Sequence, residues 1–378
     1  MVKTLGLCAI LMLVLQGCAT YKPLSEPKSV KQLVDFHTNW RRGVDGGFGE
    51  SSERFNMVLE ESGLYFITNR GVIYQINPDT GRRIISFKFE DVEHNISTGV
   101  QKHGDFLYFS TYDAELIAVS FTTKKEIWRH SLTSEVLSEP VVAGNKLAVQ
   151  TSDGWLSLLD ANTGNILWRV KEDIPVLTLR GTSSPIIADG KVIAGFSGGQ
   201  VKAFSLFNGK AAWSFAVGKP EGKYEIERLS DVDGRLLLLG NTLFSTAYNG
   251  TVSAIDVQSG RALWQRNISS VLSTALLDDL LIVVDQTSKV FALNAKNGNI
   301  VWESTQLTGR DLISPVAFHD YVAVMDRSGY VHLLSKETGK IVAYTLADKV
   351  LPSGSRMVPK GKQLFILTRN EQLTALTL

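Results

Sequence analysis

The 378-residue sequence predicts an all-β protein, an eight-bladed β-propeller in which each blade is a four-stranded antiparallel sheet. Two observations lead to this fold: a unit of about forty residues recurs along the chain, and its apolar runs have the length and period of strands. The unit is clearest over residues 139–170, where the turn pairs Gly144-Asn145 and Asp153-Gly154 separate the apolar runs. Short strands joined by tight turns at a fixed period are typical of propellers.

The eight units align on a central hairpin turn, and the run after each turn alternates apolar with polar or small residues. Such a period of two indicates a strand rather than a helix. The central turns are Arg70-Gly71, Asp113-Ala114, Asp153-Gly154, Gly198-Gly199, Asn249-Gly250, Thr287-Ser288, Ser328-Gly329 and Asn370-Glu371.

A polar loop follows that strand in seven units and begins with Asn, Asp or Ser. Glycine stands four positions later in six of them, and Lys124 is the exception. The short polar side chain can accept hydrogen bonds from the backbone, and glycine tolerates a positive φ, so the loop needs no ligand. The six glycines are Gly81, Gly164, Gly209, Gly260, Gly298 and Gly339.

A tryptophan stands four residues beyond this position in five units, while Ile85 and Ala343 replace it in the first and seventh. An indole at one place in successive blades can pack against the neighbouring blade and donate its N–H there. The alternative, a platform for stacking a sugar or a quinone, would require the rings to cluster in one pocket. We therefore predict a structural role for Trp128, Trp168, Trp213, Trp264 and Trp302.

The eighth unit stops one strand short of a complete blade. Upstream of the first unit, residues 34–44 contain Trp40 in a plausible strand. We predict that this N-terminal segment supplies the missing outer strand, which closes the ring and pairs an exposed edge.

The N-terminus has the pattern of a bacterial lipoprotein signal. Lys3 precedes an apolar stretch too short to span a bilayer, and the following Leu-Gln-Gly-Cys resembles a lipobox ending at Cys18. An ordinary secretory signal is the alternative. We predict a signal peptide over 1–17, the lipidated Cys18 with a flexible tether over 18–29, and one propeller domain over 30–378. Ala19 favours the outer membrane over retention at the inner membrane.

Composition and spacing argue against several classes of function. The chain has 39 basic and 38 acidic residues without a basic stripe, so nucleic-acid binding is not expected. Both cysteines lie in the first eighteen residues, the six histidines are scattered, and no acidic cluster has ligand spacing. Ser138, Ser184 and Ser314 precede first strands at equivalent positions, which favours a structural hydrogen bond over a nucleophile. We predict no catalytic residue, metal or cofactor.

Two successive connections between blades are longer than the repeat requires. The length of a connection can be counted from the tryptophan of one unit to the residue thirteen before the next central turn. This interval is 17 residues from Trp168 to Pro185 and 23 from Trp213 to Leu236, whereas it is 10 to 13 in the other units with a tryptophan. Because they join the third to the fourth and the fourth to the fifth blade, they should lie side by side on one face. Binding residues concentrate on such loops carried by a rigid scaffold.

The long connections contain apolar and charged side chains suited to a protein partner. Leu177 and Leu179 stand beside Arg180 in the first connection, and Asp231 and Asp233 lie in the second. Arginine and buried apolar anchors are common in binding hot spots. The alternative is that Arg180 only pairs with Asp231 or Asp233 to join the two loops. The two interpretations are compatible, because a pair within the protein can also position a binding loop.

The lipobox, the tryptophan-bearing blades, the sequence LTLRG at 177–181 and the sequence ERLSDVD at 227–233 together resemble the BamB family. These are lipoproteins of the outer-membrane β-barrel assembly machinery. The resemblance implies a non-enzymatic scaffold, monomeric within a hetero-complex, anchored to outer-membrane lipid through Cys18 on the periplasmic face. It also implies binding to the POTRA domains of BamA, through BamA to the other Bam subunits, and possible contact with unfolded outer-membrane clients. By the same match, Leu177, Leu179, Arg180, Asp231 and Asp233 make the BamA contact.

Two alternative functions remain open at the level of sequence. One is a periplasmic dehydrogenase using pyrroloquinoline quinone, since these enzymes share the eight-bladed tryptophan repeat. It would need a carboxylate base and a calcium site, and in many members adjacent cysteines. The other is a general propeller that binds proteins of the cell envelope.

Overall fold

The computed structural model describes residues 31–46, 56–90, 92, 95–179, 183–348, 356–368 and 371–378. Cys18, the predicted signal peptide and the predicted tether lie outside these residues, as does Arg180. No helix among the described residues is long and apolar enough to cross a membrane.

The described residues form 32 strands and one short 3₁₀ helix, η1 (Glu225–Arg228). The first half of the chain contains β1 (His37–Gly43), β2 (Val58–Glu60), β3 (Gly63–Ile67), β4 (Val72–Ile76), β5 (Arg83–Lys88), β6 (Gln101–His103), β7 (Phe106–Ser110), β8 (Glu115–Ser120), β9 (Glu126–Ser131), β10 (Val141–Ala143), β11 (Lys146–Gln150), β12 (Trp155–Asp160), β13 (Ile166–Lys171), β14 (Ile186–Ala188), β15 (Lys191–Phe196) and β16 (Gln200–Ser205). The second half contains β17 (Ala211–Ala216), β18 (Leu237–Leu239), β19 (Thr242–Thr246), β20 (Val252–Asp256), β21 (Ala262–Arg266), β22 (Ala275–Leu277), β23 (Leu280–Val284), β24 (Val290–Asn294), β25 (Ile300–Ser304), β26 (Val316–Phe318), β27 (Tyr321–Met325), β28 (Tyr330–Ser335), β29 (Ile341–Leu346), β30 (Arg356–Lys360), β31 (Gln363–Leu367) and β32 (Gln372–Thr377).

These strands form eight four-stranded antiparallel sheets, which confirms the predicted eight-bladed propeller. Blade 1 is β2–β5, and each following blade takes the next four strands as far as β26–β29 in blade 7. Blade 8 has the order β1-β32-β31-β30, so the N-terminal strand is its outer strand. The prediction that residues 34–44 complete the last blade is therefore confirmed.

The middle strands of each blade are buried on both faces because every blade lies between two others. In β8, for example, five of the six residues are buried, and in β4 all five are buried. The alternation in the sequence therefore distributes side chains between two neighbouring blades rather than between core and solvent. The outer strands differ: in β9 only Trp128 is fully buried.

Each outer-strand tryptophan joins its blade to the polar loop of the next blade. The indole N–H of Trp128 donates to the carbonyl of Ala161 at 2.9 Å, and that of Trp264 donates to the carbonyl of Ala295 at 2.9 Å. Trp40 of β1 does the same across the closure of the ring, donating to the carbonyl of Pro78 at 3.1 Å. The predicted structural role of the tryptophans is confirmed.

The loop glycines have a second function that the sequence did not reveal. Gly298 has a φ of 69°, as predicted, but its Cα also faces the ring of Trp264. A Cβ at this position would lie 2.5 Å from the indole, so any larger residue would displace it. All six glycines face a tryptophan in this way. The loop that has Lys124 in place of glycine belongs to blade 2. The preceding blade, blade 1, has Ile85 in place of tryptophan in its outer strand.

A ring of equivalent residues surrounds the propeller axis, one at or just before the start of the first strand of each blade. Three backbone N–H groups in this ring donate to a serine hydroxyl of the next blade: Glu139 to Ser184 at 3.2 Å, Arg235 to Ser273 at 3.0 Å, and Ser273 to Ser314 at 3.1 Å. The structural role predicted for Ser184 and Ser314 is thus confirmed. The prediction for Ser138 is wrong, because Glu139 occupies the ring position and the buried hydroxyl of Ser138 has no hydrogen-bond partner among the described residues. The ring residues are Asn56, Gly99, Glu139, Ser184, Arg235, Ser273, Ser314 and Arg356.

Candidate functional site on two inter-blade loops

The two long connections lie against each other, as the sequence predicts. The first runs from β13 to β14 and the second from β17 to β18, with η1 near its middle. The backbone N–H of Leu179 in the first loop donates to a carboxylate oxygen of Asp231 in the second, at 2.5 Å. The other oxygen of Asp231 accepts from the N–H of Gly198 in the central turn of blade 4, at 3.2 Å. One carboxylate therefore holds both loops to blade 4.

Asp231 lies beneath the loops rather than on their surface. It is 1% exposed, and burial raises the pKa of its carboxyl above the ordinary value although the two N–H donors oppose this effect. A buried carboxylate with two backbone donors is suited to positioning a loop. We therefore interpret Asp231 as a residue that fixes the position of Leu179.

The first loop presents apolar side chains to solvent. Leu177 is 41% exposed, Leu179 is 39% exposed, and Val176 is 97% exposed. Aliphatic side chains that are left in water on an ordered loop mark a candidate docking surface. Sequence reasoning selected Leu177 and Leu179 but missed Val176, although its place in a connection longer than the repeat requires was a usable signal.

The second loop presents Tyr224 and Ile226, which are both exposed, at the start of η1. The carboxylate of Glu227 accepts the backbone N–H groups of Lys223 at 2.7 Å and Tyr224 at 3.0 Å. These two bonds hold the pKa of Glu227 below its usual value. The loop thus has a defined conformation that displays an aromatic and an aliphatic side chain, and sequence reasoning missed both.

The remaining predicted site residues have different positions. Asp233 is half-buried and lines the central channel, which Leu179 also borders. The contact of Arg180 with Asp231 or Asp233 remains a prediction because Arg180 lies outside the described residues. Among the residues that are described, no group of three or more His, Cys, Asp or Glu side chains has the geometry of a metal site.

The family described as "Outer membrane protein assembly factor BamB" matches residues 69–304. The protein of that name from Salmonella typhimurium is 31% identical over 356 residues, which cover 91% of this chain and 90% of the relative. The chain belongs to the BamB family. The crystal structure of BamB from Moraxella catarrhalis has the same fold, with a TM-score of 0.79 at 24% identity, and covers 91% of this chain and 100% of that one.

Propellers outside the BamB family share this architecture. A quinohemoprotein alcohol dehydrogenase from Pseudomonas putida aligns with a TM-score of 0.69, covering 95% of this chain and 78% of the enzyme. The identity is only 12%, so this likeness shows the fold and not the activity. The similarity to the BamB family extends through both long loops, since the family match covers residues 69–304.

Asp231→Asn is expected to loosen the first loop while the propeller stays folded. The amide keeps one acceptor and places an NH₂ donor against a backbone N–H, so one of the two hydrogen bonds is lost at a cost of about 1–3 kcal/mol. Hydrogen exchange measured on peptides covering 172–179 should become faster. The exposed Asp173 of the same loop provides the control, and Asp173→Asn should leave exchange unchanged. Equal exchange in the two variants would contradict the positioning role.

Proposed function

We propose that this chain is a non-enzymatic assembly factor of the outer membrane, which acts as a scaffold while β-barrel proteins are folded and inserted. Membership of the BamB family, whose members are named outer membrane protein assembly factors, supports this role. The observation that carries it in this molecule is the pair of loops joined through Asp231, because they present exposed apolar side chains from a rigid ring. An ordered apolar surface of this kind suits a protein partner.

The partner proposed for this surface is the periplasmic POTRA region of BamA, contacted by Leu177, Leu179 and Arg180. Asp231 contributes by holding Leu179, and Asp233 lines the central channel, which Leu179 also borders. Through BamA the chain would join the other Bam subunits. Lipidation of Cys18 would anchor it to the periplasmic face of the outer membrane, with 18–29 as a tether to the domain that starts near residue 30.

The contact can be tested with single substitutions on the first loop. Leu177→Glu and Arg180→Ala are each expected to weaken capture of the POTRA domains by about tenfold or more, because truncating or charging a hot spot costs about 2 kcal/mol. The measurement is surface plasmon resonance with the mature chain and POTRA domains from the same organism. Circular dichroism should show an intact fold, since Leu177 is partly exposed.

Phe207 supplies a matched control for this experiment. It is 92% exposed on the polar loop of blade 4, away from the two long connections in sequence. Phe207→Glu therefore changes an exposed apolar side chain in the same blade and should leave POTRA binding unchanged. If Phe207→Glu weakens binding and Leu177→Glu does not, the partner surface lies elsewhere on the propeller.

A catalytic role is tested separately by titrating the protein with pyrroloquinoline quinone and calcium. We expect no stoichiometric binding and no dye-linked oxidation of alcohols or sugars. Stoichiometric binding together with oxidation would replace the scaffold proposal with an enzymatic one.

A further inference from the structure

The outer strand of blade 7 is covered by another part of the chain. Residues 31–36 contact β29 before the chain enters blade 8 as β1. The backbone N–H of Leu33 donates to the carbonyl of Val342 at 2.8 Å. The side-chain amide of Gln32 donates to the carbonyl of Tyr344 at 3.0 Å and accepts the N–H of the same residue at 3.2 Å. Gln32 thus occupies the two backbone groups that Tyr344 would offer to a neighbouring strand.

The covered edge also buries an apolar side chain. Val342 is the bulged residue of β29, and it is only 9% exposed. It belongs to the same apolar cluster as Phe36, and Val34 packs against this cluster. Segments that bind to the edge of a sheet combine main-chain hydrogen bonds with contacts of alternate side chains in this way. Residues 31–36 belong to no helix or sheet, so the edge takes a single segment of chain.

The position of Val342 is open to solvent in five other blades. In each of them an aliphatic residue forms the bulge of the outer strand. Aliphatic side chains left in water on ordered strands mark candidate interaction surfaces. These residues are Ile84, Ile127, Leu167, Leu263 and Val301, and each is between 44% and 55% exposed.

Blade 6 has an edge that closely resembles the covered edge of blade 7. Its outer strand begins with Ile300-Val301, and that of blade 7 begins with Ile341-Val342. Val301 is 53% exposed and Ile300 is 52% exposed, so two aliphatic side chains face water there. Glu303 is the counterpart of Tyr344. In the part of the chain that the structure describes, the backbone groups of Val301 and Glu303 form no hydrogen bond outside blade 6.

We propose that the outer edge of blade 6 binds a segment of an unfolded polypeptide that has apolar residues at alternate positions. The main chain of this segment pairs with the outward backbone groups of Val301 and Glu303, and its apolar side chains cover Ile300 and Val301. An unfolded β-strand has this chemistry, because successive side chains of a strand point to opposite faces. The contact is separate from the two-loop surface and does not depend on it.

The probe for this contact is the chain's own segment. A fluorescein-labelled peptide with the sequence of residues 31–38 is titrated with the mature protein and followed by fluorescence anisotropy. The edge of blade 7 is not open to the probe, because the tethered copy holds it at a high effective concentration. We expect saturable binding, which Val301→Glu weakens about tenfold by placing a charge in the apolar contact. Gln32→Ala in the peptide should weaken binding by a similar factor, since two hydrogen bonds are lost.

Blade 5 supplies the matched control. Leu263 holds the same bulge position as Val301 and is 55% exposed. The carbonyl of Gln265, the counterpart of Tyr344, already accepts from the side chain of Arg266 at 3.1 Å. Leu263→Glu should therefore leave binding of the peptide unchanged.

Circular dichroism establishes that each variant is folded, and Ile300→Glu decides in the same way if Val301→Glu does not fold. The proposal is overturned if the peptide does not bind saturably, or if Val301→Glu and Leu263→Glu change its binding equally. POTRA binding should stay at the wild-type level in Val301→Glu. Loss of POTRA binding in this variant would show that the edge serves a folded partner, and would also overturn the proposal.

Discussion

Deleting residues 31–46 is expected to unfold the propeller as a unit rather than to remove one edge strand. β1 pairs with β32 along its length, and Trp40 packs against Gly81 of blade 1 while it donates to Pro78. On the other side, the side chain of Gln32 bonds the backbone of Tyr344 in blade 7. The segment therefore holds blades 7, 8 and 1 together, and its loss opens the ring.

The deletion can be measured by thermal unfolding followed with near-ultraviolet circular dichroism, where a cooperative transition should disappear. Trp40→Ala provides a graded version and should cost about 3–5 kcal/mol, as for other buried tryptophans. Arg42→Ala is the control in the same strand, because Arg42 is exposed and, among the described residues, its side chain donates only to backbone carbonyls at the rim. Retention of the full transition temperature in the deletion variant would show that the ring closes without β1.

The blades could be predicted from the sequence because their chemistry is local and repeated. A turn pair, a polar loop and a tryptophan recur at fixed spacing, and each is specified by residues close together in the chain. The same repeat also showed which connections were too long, and so predicted that the loops around Leu179 and Asp231 would meet. The bond between these two residues confirms that prediction.

Contacts between distant blades could not be predicted in this way. Arg235 and Arg356 are both ion-paired with Glu139. The three residues hold equivalent ring positions, but a repeat alone does not show which ring side chains reach across the axis. The burial of Asp231 was missed for a related reason: an Asp in a long polar loop looks exposed until the path of the second loop is known. The pairing of each loop glycine with the preceding tryptophan likewise depends on how blades pack, not on either blade alone.

The surroundings of His332 could not be read from the sequence, where it is one of six scattered histidines. Its side chain is fully buried, 2.9 Å from a carboxylate oxygen of Asp326. Arg310 donates from Nε to the same oxygen at 2.6 Å. The other oxygen of Asp326 accepts the N–H groups of Ser328 and Tyr330 in the central turn of blade 7.

Asp326→Ala is accordingly expected to destabilise the protein by about 3–5 kcal/mol, because it leaves Arg310 and His332 buried without their shared partner. Denaturant unfolding followed by tryptophan fluorescence measures this difference. Asp311 is the matched control: it pairs with Arg327 nearby, but both side chains are exposed, so Asp311→Ala should cost at most about 1 kcal/mol. Equal losses in the two variants would show that the buried cluster contributes no more than a surface pair.

The dependence of this difference on pH follows from the carboxyl of Asp326. Burial alone would raise its pKa, but hydrogen bonds and charge from His332 and Arg310 outweigh burial and hold it below the ordinary value of 3.8. A carboxyl with a lowered pKa in the folded state stabilises that state fully above 3.8, and this contribution is lost as the pH falls through the folded pKa. The stability gap between the wild type and Asp326→Asn should therefore be constant near neutral pH and narrow below 3.8. A gap that stays constant or widens below 3.8 would contradict this role of the Asp326 carboxyl.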